Sequence, residues 1–154
     1  MTTAYDNPTA RAYEFAKAAH ASIGQKRKYS GQDYIVHPEA VCRILEEAGE
    51  KDPNVLMAAL LHDVLEDVAP QNKAYDFDEI LRHFGVTVTN YVMDLTDQYT
   101  KENFPWMNRE ERKAQEAKRI ATIANGSLKV KLADLLDNTA DIMRHDQEIG
   151  RAHV

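Results

Sequence analysis

Asp52-Pro53-Asn54-Val55-Leu56-Met57-Ala58-Ala59-Leu60-Leu61-His62-Asp63-Val64-Leu65-Glu66-Asp67-Val68 is the stretch on which the fold turns. Asp52-Pro53 reads as the cap and first position of a helix. The helix predicted behind it, Val55 to about Val68, is apolar on nearly every side until His62. A helix apolar all round is buried, so other helices must surround it. Upstream, Asn7-Pro8 starts a helix whose face is Ala12, Phe15, Ala16, Ala19, His20 and Ile23, and Gly24 stops it. A basic loop, Gln25 to Gly31, follows. Tyr34-Ile35-Val36 is expected to be extended. Pro38 then opens a helix with Val41, Ile44, Leu45 and Ala48 inward and Gly49 closing it.

Downstream, Val68 to Tyr75 reads as a loop and Phe77 to Phe84 as a short helix ended by Gly85. Val86 to Leu95 alternates weakly, but Val92, Leu95 and Tyr99 suit a helix, which is the reading adopted. Asp97 to Asn108 is a 12-residue loop rich in aromatics. Loops of that length are uncommon unless they cover a site. Arg109 to Ala124 is a charged helix, Asn125-Gly126 breaks it, and Leu128 to about Arg144 is the last helix. Its apolar stripe is Leu128, Leu132, Leu135, Thr139 and Ile142, with Asp134, Asn138, Asp141 and His145 as a polar stripe beside it. The expected fold is all-α: a compact bundle of six or seven helices, one domain over residues 1–154.

Composition agrees. Of 154 residues, 44% are apolar and 29% charged, ordinary for a globular chain. Nineteen Lys and Arg against 25 Asp and Glu give a net charge of −6, which argues against duplex nucleic acid or an anionic membrane as the main partner. A local basic pocket for a phosphorylated small molecule is still open to it. No apolar run approaches a membrane span, and Met1 to Asp6 lacks the order of a signal peptide. The single cysteine, Cys42, permits neither an intramolecular disulfide nor a multi-cysteine zinc site. The cytoplasm is the expected compartment.

Chemistry concentrates in three places. His62, Asp63, Glu66 and Asp67 can share one helix face at the end of the most buried helix. Three carboxylates and an imidazole need a counter-charge, which a divalent cation supplies; a solvated helix end with a His-Asp hydrogen bond is the plainer alternative. His37 precedes a proline, an arrangement that is usually incidental. Asp134 sits in an apolar run as either a packing cap or a ligand.

Taken in order, Ala19-His20, Gln25-Lys26-Arg27-Lys28, Ser30-Gly31, Tyr34-Ile35-Val36-His37-Pro38, Ala58 to Asp67, Val130 to Asp134 and Asn138 resemble the HD metal-dependent phosphohydrolases. More narrowly, they are similar to the hydrolase domain of RelA/SpoT homologues and to small stand-alone alarmone hydrolases. The resemblance implies one divalent metal, manganese, held by His37, His62, Asp63 and Asp134; a mixed imidazole-carboxylate set suits that ion. It implies Glu66 and Asp67 as the catalytic acid pair, Arg27 and Lys28 flanking a guanine base, and Asn138 contacting the nucleotide, expected on the opposite wall. His20 belongs to the motif but sits on an apolar helix face, so it reads as a core histidine. Lys101 and Arg109, with Arg112 and Lys113, are candidates for the distal phosphates.

The implied reaction is attack of metal-activated water on the 3′-pyrophosphate of ppGpp or pppGpp, releasing GDP or GTP and pyrophosphate. Two departures bear on the substrate: Ala140 stands where these hydrolases often carry an arginine, and Asp97 to Asn108 is longer and more aromatic than expected. The alternatives are a phosphatase for another nucleotide, such as a nucleoside monophosphate or a 2′-phosphorylated dinucleotide, and a non-catalytic nucleotide-binding module.

Overall fold

The computed structural model describes residues 7–152, with side chains described through residue 146. Every regular element among them is helical: α1 (Pro8–Ser22), α2 (Val36–Glu47), α3 (Pro53–Leu61), α4 (Phe77–Asp94), α5 (Arg109–Ile120) and α6 (Asn125–Ala152). A π-helical turn, Val64–Val68, and a 3-10 turn, Lys73–Tyr75, connect α3 to α4. No described helix is long and apolar enough to cross a membrane.

The caps act as expected. The Asn7 side chain accepts from the backbone N–H groups of Thr9 and Ala10, and that of Asp52 from Asn54, each ahead of a proline. Every residue from Val55 to Leu61 is buried, and α1, α2, α4 and α6 all pack against α3. α3 ends at Leu61, not near Val68. His62 and Asp63 form a turn, and the chain then widens, with the Ala69 N–H bonding the Val64 carbonyl at 3.0 Å. This i→i+5 bond inserts one residue into the turn.

Other expectations are corrected. α2 begins at Val36, and Ile35 is already helical at φ −55°, ψ −24°, so His37 lies inside the first turn. Asn125-Gly126 opens α6 and does not merely break the chain. There a Cβ on Gly126 would lie 2.7 Å from the Tyr91 ring, so the glycine permits close approach of α4 and α6.

The last helix is turned the other way from its apolar pattern. Leu128, Leu132, Leu135, Leu136, Ile142 and Met143 stay 38–60% exposed, while Asp137 and Asp141 are buried. The acids go inward because His37 and Arg27 meet them there.

Gly85 breaks α4 as expected: at φ 86° and ψ 177° it is non-helical, and the helices on either side of it meet there at a kink. That region is essentially closed to residues with a Cβ. Nothing lies within 4 Å of where the methyl of Gly85→Ala would be, so only backbone strain would be felt. Gly85→Ala should lower unfolding free energy by about 1–3 kcal/mol, read from the denaturant midpoint. An unchanged midpoint would mean that the kink relaxes without cost.

Candidate active site

Three elements bring their polar side chains to one buried point. His37 stands on the first turn of α2, His62 and Asp63 follow the last turn of α3, and Asp134 lies midway along α6. One donor atom from each of His37, His62 and Asp63 lies within 4.8 Å of the other two. Asp134 Oδ1 joins them, 2.8 Å from His37 Nε2 and 3.3 Å from His62 Nε2.

The second nitrogens set the orientation of the rings. His62 Nδ1–H donates to the Ala59 carbonyl at 2.6 Å, and His37 Nδ1–H to Asp137 Oδ2 at 2.7 Å. Both rings therefore present Nε2 to the common point. His62 Nε2 is buried and makes no hydrogen bond, although Asp63 Oδ2 is 3.1 Å away. A buried nitrogen of this kind beside two carboxylates fits a divalent cation. Asp63 is further held by the Tyr34 hydroxyl, which donates to its Oδ2 at 2.6 Å.

Environment divides the acids. Burial works against charge on Asp63, but the facing His62 and the Tyr34 hydroxyl hold its carboxyl down at about 2. Burial likewise opposes charge on Asp134, and the hydrogen bond with His37 together with the facing His62 imidazole keeps it well below the usual range. Burial opposes charge on both imidazoles, but Asp134 and Asp137 outweigh it at His37, and Asp63 and Asp134 at His62, so both are raised. Without a metal, protons balance these anions, and a cation would displace them. Glu66 goes the other way: burial, then the nearby charge of Asp97, pushes it up to about 8.

Glu66 and Asp67 lie on the π turn, half-buried beside the four donors. Burial and then the charge of Asp63 raise Asp67. The Gln25 amide donates to Asp67 Oδ2 at 3.0 Å, and its carbonyl accepts from His20 Nδ1 at 2.7 Å. His20 is buried against the Tyr34 ring, as a core histidine should be. The long loop touches the site through the Asp97 N–H, 3.4 Å from Glu66 Oε1. Glu116 on α5 secures that loop by accepting from the N–H groups of Gln98 and Tyr99, both at 2.6 Å.

Next to it, a cavity of about 410 Å³ is lined by Asp97, Tyr99, Arg109, Arg112 and Lys113. Lys101 is exposed on the loop and does not line it. Lys28 is exposed too, its ammonium 5.4 Å from the centre of the Tyr29 ring. Arg27 departs from expectation. It is only 8% exposed and bonds Asn138 Oδ1 at 3.3 Å, so the two share one wall and do not face each other across a mouth. Its guanidinium is drawn inward by Asp137 and Asp141.

The sequence pattern missed Asp137, Tyr34, Gln25, Asp97 and Lys131, whose ammonium is 3.8 Å from Asp134 Oδ2. Asp137 alone left a signal, one helical turn after Asp134.

Residues 12–153 match the profile of the HD domain family. The guanosine-3′,5′-bis(diphosphate) 3′-pyrophosphohydrolase MESH1 of Mus musculus is 41% identical over 129 residues, 82% of this chain and 66% of that protein. Its Homo sapiens counterpart is 39% identical over 144 residues, 92% of this chain and 73% of that protein. This chain thus spans about two thirds of the length of the mouse relative. A solved structure described as a metazoan ortholog of SpoT that hydrolyzes ppGpp superposes with a TM-score of 0.74 at 31% identity, covering 93% of this chain and 72% of that one.

Glu66 yields a pH test on the metal-free protein. Its folded value of about 8 exceeds the ordinary 4.5, so its stabilising neutral form is fully present below about pH 4.5 and is lost as pH rises through 8. Glu66→Gln cannot ionise. Its Tm should therefore gain on the wild type progressively between about pH 5 and about pH 9. Parallel Tm profiles would show that Glu66 ionises as freely folded as unfolded.

Proposed function

The chain belongs to the HD domain family, and on that premise we propose that it hydrolyses the 3′-pyrophosphate of ppGpp or pppGpp to GDP or GTP and pyrophosphate. One observation carries the reading: the convergence of His37, His62, Asp63 and Asp134, with the half-buried Glu66, whose carboxyl burial and Asp97 push up, beside them. Those four residues would hold one divalent ion, taken as Mn2+, which when bound supplies Lewis-acid polarisation and a nucleophilic water near neutral pH. The reaction is assigned to the cytoplasm and to one domain over residues 1–154.

The chain's own groups account for the protons. Water attacks the phosphorus attached to the ribose 3′ oxygen. Asp67, held in orientation by Gln25, accepts the proton that this water loses. The bond from phosphorus to the 3′ oxygen breaks, and Glu66, neutral near pH 7, donates its proton to that oxygen. Arg109, Arg112 and Lys113 offset the charge of the distal phosphates from the adjoining cavity. Lys28 and Lys101, both exposed, and Asn138, 3.1 Å from Asp134, are assigned to the nucleotide.

A second reading, a phosphatase for another phosphorylated nucleotide, draws on one observation. Arg27, which the resemblance sets beside guanine, is committed to α6.

Product analysis with Mn2+ separates the two. Pyrophosphate from ppGpp supports the first, and orthophosphate from a nucleoside monophosphate supports the second. Chelation should abolish turnover and Mn2+ restore it. Glu66→Gln should lower kcat by roughly 10²–10⁴, as expected for loss of a general acid. Wild-type kcat in both Glu66→Gln and Asp67→Asn would remove these acids from the mechanism.

A further inference from the structure

Among the described residues, Asp137 is the one buried acid on α6 that touches a proposed ligand without being one. Its Oδ2 receives two bonds at once: His37 Nδ1–H at 2.7 Å and Arg27 Nη1 at 3.1 Å. Arg27 then spreads along α6, with Nη2 3.3 Å from Asn138 Oδ1 and 3.5 Å from Asp141 Oδ2. The guanidinium and both aspartates are at most 8% exposed.

The backbone around Arg27 is closed as well. Its N–H bonds the Gln32 carbonyl at 2.8 Å, its carbonyl accepts from Gly31 at 3.0 Å, and Lys26 bridges to Asp33. The basic segment is thus a fastened hairpin and not a free flap. A guanidinium carries five donors in a fixed fork. Here the fork is spent on three neighbouring acceptors of one helix, which leaves its plane against α6.

We infer that Arg27 and Asp137 are positioning residues: Arg27 anchors Asp137, and Asp137 holds the His37 proton on Nδ1 so that Nε2 keeps a lone pair for the metal. The inference rests on the metal-site reading above and adds a purpose for two residues outside the donor set. The physics is that of a carboxylate behind a metal-bound imidazole, which fixes the tautomer and raises ligand basicity. Here a buried cation from a different segment, 110 residues away in sequence, fastens that carboxylate. Loss of Arg27 would free Asp137 to turn toward water, and loss of Asp137 would let the His37 ring turn or shift its proton to Nε2.

The test uses Mn2+ and the full chain. Binding is followed by the electron-paramagnetic signal of free Mn2+, and the His37 tautomer by 15N NMR of histidine-labelled protein. Asp137→Asn offers an amide that can donate to Nδ1 and so place the proton on Nε2. It should weaken Mn2+ binding about 10–100-fold and shift the His37 resonances to the Nε2–H pattern. Arg27→Lys keeps the charge but loses the fork, and should weaken Mn2+ binding less than Asp137→Asn. It also serves if Asp137→Asn fails to fold.

A role in packing alone predicts lower Tm with unchanged Mn2+ affinity and tautomer, and that result would overturn the inference. So would a rise in KM for ppGpp in Arg27→Lys with Mn2+ affinity intact, which would return Arg27 to the base. Failure of the wild type to bind Mn2+ would overturn the metal reading and this inference together.

Discussion

His37 is gripped from both sides by α6, with Nε2 2.8 Å from Asp134 and Nδ1 2.7 Å from Asp137. Much of the molecule depends on that grip. It joins α2 to α6 across about 100 residues of sequence, and it justifies turning an acidic helix face toward the interior. Buried carboxylates are tolerated only when paired. With His37, His62 and Arg27 as partners, the acids of α6 displace its leucines from the inner face. The site therefore sets the rotation of the longest helix, and hydrophobic burial there takes second place.

This inversion explains why part of the fold is legible in sequence and part is not. Local chemistry speaks plainly: Asn7-Pro8 and Asp52-Pro53 mark helix starts, and Val55 to Leu61 announces its own burial. The rotation of α6 has no local signal, because the charges that decide it come from Arg27 and His37. A periodicity argument sees the leucines and points them inward. Asn125-Gly126 misleads for a related reason. The dipeptide looks like a breaker, yet Gly126 serves the approach of a ring from α4.

The site is legible unevenly too. A lone histidine before a proline says nothing, and an aspartate in an apolar run says little. Only the order of the motifs singles out His37 and Asp134. The residues behind the donors are fainter still, and only Asp137, one turn after Asp134, leaves a trace. Tyr34, Gln25 and Asp137 reach Asp63, Asp67 and His37 through hydrogen bonds that span 29, 42 and 100 positions. Arg27 shows the converse, a residue singled out for its charge whose charge is spent inside the fold.

The widened turn at Val64–Val68 has a consequence for descent. An α-helix absorbs an inserted residue at its exposed end by shifting register, but here the count from His62 to Asp67 is itself the spacing between the proposed ligands and the proposed acids. The extra residue that the Ala69–Val64 bond accommodates is already in use. Removing one residue would let the segment close into an ordinary helix and swing Glu66 and Asp67 off the face they share with Asp63. Length along this segment is therefore held as tightly as the identity of its two acids and its two buried valines. Among lineages that keep the chemistry, gaps and insertions should collect in the loop after Asp97 and leave the five residues of the turn uninterrupted.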